Sequence, residues 1–116
     1  MMKILWVCNK PPMPVALAAG IGGGNFGGWL DSTAADLLSI PGSSLMVLFL
    51  GSCAAEGVAG NLSYASFSDE VTETWFSRII EEFDPDVIHV WGTESTHSLK
   101  AVRAAKSVGM DGSTVV

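Results

Sequence analysis

The sequence predicts an α/β domain built on a doubly wound, mostly parallel sheet with helices on both faces. Apolar runs at 3–8, 45–50 and 87–91 read as strands buried on both sides, the pattern of a parallel sheet. Segments of helical periodicity alternate with these runs, as right-handed crossover connections require. The length, 116 residues with 48% hydrophobic and 16% charged, suits one domain with a real core.

Residues 3–8 (K-I-L-W-V-C) make the first predicted strand. Pro11, Pro12 and Pro14 then interrupt regular structure, and 16–19 carry no assignable pattern. The connection from 9 to 27 is long, and such loops are usually functional or disordered. Residues 29–40 form the first predicted helix, with a stripe of Leu30, Ala34, Leu37 and Leu38 and a stop at Pro41-Gly42. Residues 45–50 (L-M-V-L-F-L) are a second buried strand, and 51–61 read as a loop of small residues. The alternation in 62–67 (L-S-Y-A-S-F) suggests an exposed, edge-like strand. Ser68 or Asp69 is expected to cap the next helix, whose stripe is Val71, Trp75, Phe76, Ile79, Ile80 and Phe83. Asp84-Pro85 ends it, and 87–91 (V-I-H-V-W) follow as a strand. A third helix covers 96–108, with Leu99, Val102 and Ala105 inward and Gly109 closing it. Residues 113–116 begin a further strand.

Charge narrows the function classes. A net charge of −6 argues against nucleic acid, whose phosphates need clustered Lys and Arg. Lys100, Arg103 and Lys106 share a helix face that is expected to be solvated. Cys8 and Cys53 make no disulfide framework and read as small buried hydrophobes in a reducing compartment. No His, Cys, Asp and Glu spacing predicts a metal site. The N-terminal apolar run is too short for a signal peptide, and nothing approaches the ~20 apolar residues of a membrane span. These features predict a cytoplasmic domain.

The chemistry is expected at the carboxyl ends of the strands, where α/β sheets bind ligands. Residues 20–29 (G-I-G-G-G-N-F-G-G-W) hold six of the thirteen glycines and open onto a helix N-terminus, a natural anion site. A flexible surface loop is the competing account. The letters G-x-G-x-x-G occur at 22–27, but too far from Cys8, and the second strand ends in Gly51-Ser52 without the acid a dinucleotide loop requires. No Lys-Ser or Lys-Thr follows for a P-loop. At the end of the 87–91 strand, W-G-T-E-S-T-H groups an aromatic ring, hydroxyls, Glu94 and His97, a mixture suited to a polyhydroxylated ligand. Ordinary helix capping accounts for the same residues. His89, inside the strand, reads as a buried histidine with a partner. Asp84 and Asp86 flank Pro85 as a turn signal rather than a catalytic dyad.

The N-terminal K-I-L-W-V, the Pro-containing and Gly-rich loop ending at Gly27, Gly28 and Trp29, and D-P-D-V-I-H-V-W-G-T-E at 84–94 together resemble the N-terminal half of the retaining family 4 glycosyltransferases of GT-B type. The resemblance spans nearly the whole chain, and Pro85-Asp86-Val87-Ile88-His89 is its most specific part. It implies a single Rossmann-like acceptor-side domain over 1–116, facing a C-terminal donor-binding domain absent here. It implies a nucleotide-diphosphate sugar as donor substrate, a carbohydrate or lipid-linked acceptor, and no cofactor or metal. Gly27 and Gly28 would border the donor phosphates, with Glu94 and His97 on the acceptor. The family's histidine near the transferred sugar would follow the strand at 113–116, past the chain's last residue, so this polypeptide alone is expected not to turn over. Surface polysaccharide or lipopolysaccharide synthesis, with the full-length enzyme at the inner face of a membrane, fits such an enzyme. A free-standing flavodoxin-like binding or regulatory module is the alternative. A nucleotide-sugar epimerase or dehydrogenase fragment is a third, against which the misplaced glycines stand.

Overall fold

Alternate residues of β1 (Met2–Cys8) face opposite sides of a five-stranded sheet in the computed structural model, which describes residues 2–8, 15, 18, 20, 28–51, 55–68, 70–90 and 96–109. The further elements are α1 (Gly28–Leu38), β2 (Ser43–Leu50), β3 (Glu56–Ala59), β4 (Leu62–Phe67), α2 (Glu73–Phe83), β5 (Val87–Val90) and α3 (Thr96–Ser107). The strand order is β3-β4-β2-β1-β5, parallel except where β3 meets β4. The expected strand at 113–116, the prolines at 11, 12 and 14, and Cys53 lie outside the described residues.

The period of two in the strands divides the core into two layers. Leu5, Val7, Leu48, Ala65, Phe67, Ile88 and Val90 pack under α2 and α3. Trp6, Cys8, Leu45, Val47, Phe49, Leu62 and Tyr64 form the other layer, with Ala34, Leu37 and Leu38 of α1. Helices therefore cover both faces, and the architecture is the expected α/β, Rossmann-like one. Among the described residues no helix is long and apolar enough to cross a membrane.

The edge of the sheet differs from the expectation. Residues 51–61 are not all loop, because Glu56–Ala59 pairs antiparallel with β4. Ala59 and Leu62 are register partners, so Gly60 and Asn61 make a two-residue turn. Gly60 takes φ 63°, the value a type II′ turn needs at its first position. β4 is consequently an interior strand, with Leu62, Tyr64, Ala65 and Phe67 buried, and β3 is the edge. Asn61 also donates to the Leu38 and Ser43 carbonyls, at 3.0 and 3.1 Å. The Ser43 hydroxyl lies 2.7 Å from both the Leu37 and Ile40 carbonyls, which share its one proton. These bonds satisfy the carbonyls at the end of α1, which stops at Leu38 instead of Ile40.

α2 is capped by Thr72, not by Ser68 or Asp69: its hydroxyl accepts from the Trp75 N–H at 3.2 Å. Ser68 instead closes a preceding turn, its carbonyl accepting from Val71 N–H at 3.0 Å. The later cap leaves buried Val71 one residue outside the helix and Phe76 at its fourth position, the spacing of a hydrophobic staple. Thr72→Ala is expected to cost about 1 kcal/mol, read as a lower urea midpoint at unchanged slope.

Of the residues expected inward on α3, Ala105 is buried and Val102 packs against the core, and Leu99 alone is not inward. Ala101, Ala104 and Ala105 are buried, and Leu99 is 53% exposed. Small side chains let α3 lie close to the sheet and to α2. Lys100 is not simply solvated, since its ammonium donates to the Val71 carbonyl at 2.7 Å and ties α3 to the turn that leads into α2. Gly109, at φ 92°, follows the helix as expected.

The D-P-D segment joins α2 to the sheet. Asp84 adopts φ 53° beyond the last turn, and its N–H bonds the Ile80 carbonyl at 2.9 Å. Asp86 exchanges two bonds with Lys3: the Lys3 N–H donates to the carboxylate at 2.9 Å, and the Asp86 N–H to the Lys3 carbonyl at 2.8 Å. Asp86 thus sets β5 in register beside β1, a turn-and-latch role in keeping with the reading of these acids as structural.

Candidate functional site

The strand order places the site. From β1 the chain steps to β2 and β4 on one side, then crosses back through α2 to β5 on the other. The order therefore reverses between β1 and β5, and the carboxyl ends of two such strands open the crevice where α/β folds bind ligands. Val7 and Val90 are register partners, so the chain leaves the sheet side by side after each strand.

The segment after β1 returns as α1, beginning at Gly28, and the segment after β5 returns as α3, beginning at Thr96. Each helix starts at the carboxyl edge, because each follows a strand and runs back along the sheet. The first N–H groups of a helix have no partner within it, and the aligned peptide dipoles add positive potential there. The crevice is thus flanked by two helix N-termini, an arrangement able to receive a phosphate or orient hydroxyl groups. Gly28 is the first residue of α1 and His97 the second of α3. Gly27 and Glu94 lie outside the described residues. The topology thus brings the first residues of α1 and α3, Gly28 and Thr96, to one edge.

Three residues that the sequence did not single out join the connection after β1 to the sheet. Tyr64 of β4 is buried, and its hydroxyl donates to the Ala18 carbonyl at 3.2 Å. Val15 is fully buried in the same layer as Tyr64. The long connection after β1 is therefore attached to the sheet at two points. The available signal was the lone tyrosine in an alternating strand, paired after a two-residue turn with a glycine.

His89 is half-buried, its ring edge-on to Trp6 at 6.4 Å and 75°. Loss of solvent lowers its pKa below the ordinary value of 6.5. On acidification the unfolded chain therefore takes up this proton before the folded one. The associated stability is intact above about 6.5 and is lost as pH falls below it toward the lowered folded value. Between about pH 7.5 and 5.5 the urea midpoint of the wild type is expected to fall more steeply than that of His89→Gln.

Cys8 is buried, and burial pushes its thiol up to about 12, far from a nucleophile's range. It is the packed small hydrophobe that the sequence suggested. Among the described residues no group of His, Cys, Asp and Glu could hold a metal. An open pocket of about 210 Å³ lies at the other end of the fold, between Ile80, Glu81, Asp84, Pro85 and Val108. It sits by the amino end of β5, away from the crevice.

Neither family models nor curated proteins match the sequence. Among solved structures the chain is similar to the Bordetella bronchiseptica enzyme WbmH, whose crystal structure is a complex with NAD+. The match covers 92% of this chain, with a TM-score of 0.52 and 15% sequence identity. It covers 36% of the other, so this chain spans about a third of that enzyme's length. The likeness establishes a shared α/β fold.

Proposed function

We propose that this chain is the acceptor-side N-terminal domain of a retaining glycosyltransferase of GT-B type, resembling family 4. The enzyme would move a sugar from a nucleotide-diphosphate donor to a carbohydrate or lipid-linked acceptor. Backbone amides at Gly27 and Gly28 would stabilise charge on the departing diphosphate. Glu94 and His97 would hydrogen-bond acceptor hydroxyls. A second Rossmann-like domain, beyond this chain, would hold the donor across the crevice, and no cofactor or metal is assigned. Polysaccharide or lipopolysaccharide synthesis beside a membrane is the setting in this reading.

The observation that supports it is the reversal of strand order between β1 and β5. In the sequence the Gly27-Gly28-Trp29 and W-G-T-E-S-T-H motifs follow β1 and β5, adjacent parallel strands at the reversal of strand order. A donor phosphate and an acceptor hydroxyl must meet at one place, and the side-by-side carboxyl ends of β1 and β5 support such a meeting point. The test is to incubate the protein encoded by the complete gene with a panel of nucleotide-diphosphate sugars and glycan or lipid-linked acceptors. The expected result is nucleoside diphosphate released in step with a glycosylated product that keeps the donor's anomeric configuration. An inverted product, or no transfer from any donor, would refute the proposal.

A second reading, a dinucleotide-binding domain, is favoured by the NAD+ in the WbmH crystal structure. Against it, β2 runs into Gly51 with no acid at its end to hold a ribose hydroxyl. Calorimetric titration with NAD+ separates the two, and no saturable heat is expected.

A further inference from the structure

We infer that Tyr64 is a positioning residue for the glycine-rich connection that leads into α1, and that Gly57 is bare so that Tyr64 can reach it. The inference rests on the glycosyl-transfer reading only for its effect on ligand binding. Tyr64 and Gly57 are register partners across the β3–β4 hairpin. A Cβ placed on Gly57 would lie 2.5 Å from the Tyr64 hydroxyl oxygen and 2.8 Å from the ring carbon that bears it. Both distances are below any ordinary contact, so the phenol lies across the glycine backbone and a side chain there would push it off.

The displaced group is the one that matters. From its place over Gly57, the hydroxyl spans from the sheet edge to Ala18, 46 residues away in sequence, and holds that carbonyl at 3.2 Å. Val15, fully buried in the layer that includes Tyr64, fixes the same connection by packing alone. Packing at Val15 sets where the connection sits against the sheet. The directional bond at Ala18 orients the backbone there, ten residues before Gly28, which opens α1 and is part of the proposed diphosphate contact. The edge hairpin thus does more than close the sheet: it carries a support for the connection that precedes α1.

The variants are Tyr64→Phe, which keeps the ring and removes the bond, and Gly57→Ala, which keeps the hydroxyl and displaces it. Full-length protein is used for amide hydrogen exchange and thermal melting, and for calorimetry with uridine and guanosine diphosphates as probes. In both variants, exchange over the connection preceding α1 is expected to rise about three- to tenfold, the scale of one net hydrogen bond. Exchange in β1, β2 and β5 is expected to stay unchanged. Diphosphate affinity is expected to weaken by a similar factor. Unchanged exchange in the connection overturns the inference. So does an equal rise across all strands with a lowered melting temperature, because Tyr64 would then be a packing residue only. If the wild type binds neither diphosphate, the transferase reading fails, and the exchange pattern still decides the role of Tyr64.

Discussion

Phe76→Ala is expected to lower the stability of the folded chain by about 3–5 kcal/mol, the cost of emptying a fully buried aromatic site. Phe76 has no exposed surface and sits mid-layer between α2 and the sheet. Its ring meets Phe67 edge-on at 5.4 Å and Trp75 at 5.2 Å. Truncation removes those ring contacts together with the apolar burial, and Phe67 and Trp75 are held on separate elements and cannot both close the gap. A domain of this size has about 5–15 kcal/mol in total, so the variant is expected to be partly unfolded near 40 °C. Urea unfolding monitored by tryptophan fluorescence measures the loss. Phe76→Leu, which restores much of the volume, is expected to lose less than half as much. A loss below about 1 kcal/mol for the alanine variant would show that α2 does not pack as described.

The second large effect concerns activity. In the full-length protein, replacing Gly27 and Gly28 together with valine is expected to reduce kcat for sugar transfer about 10²- to 10³-fold, the scale of one lost oxyanion contact. A glycine carries no side chain to cover its own amide, and a branched side chain on each residue would screen it. Stability is expected to change little, because Gly28 opens α1 rather than sitting in its interior. Replacing the same glycines with alanine is expected to give an intermediate rate. The measurement is the initial rate at saturating donor and acceptor, with a melting curve as control for folding. Wild-type rates in the valine variant would remove the phosphate-binding role from this loop.

Much of the fold was legible because buried parallel strands are continuous apolar runs whose meaning does not depend on their neighbours. Residues 3–8, 45–50 and 87–91 all fall on observed strands, the last continuing one residue past β5 into a segment outside the described residues. The misreadings occurred where neighbours decide. The 62–67 segment alternates like an edge strand, yet β3 covers it, because Gly60-Asn61 can turn the chain back within two residues. Leu99 fits a helical stripe as well as Ala101 does, and only the closeness of α2 and the sheet selects the alanine face. Thr72 and Ser68 are equally good capping residues, and the burial of Val71 ahead of the helix favours the later one.

The candidate site divides in the same way. By itself the sequence determined the alternation of elements, the two buried faces, and where the glycines, Glu94 and His97 fall between or at the start of those elements. Those are local properties, set by side-chain size, backbone freedom and periodicity. Only the tertiary structure decided that β1 and β5 are neighbours with their carboxyl ends side by side, a long-range pairing latched by Asp86 on Lys3. It alone decided that Tyr64 reaches Ala18 across Gly57. Such contacts join residues far apart in the chain, and their energies depend on distances that no local pattern specifies.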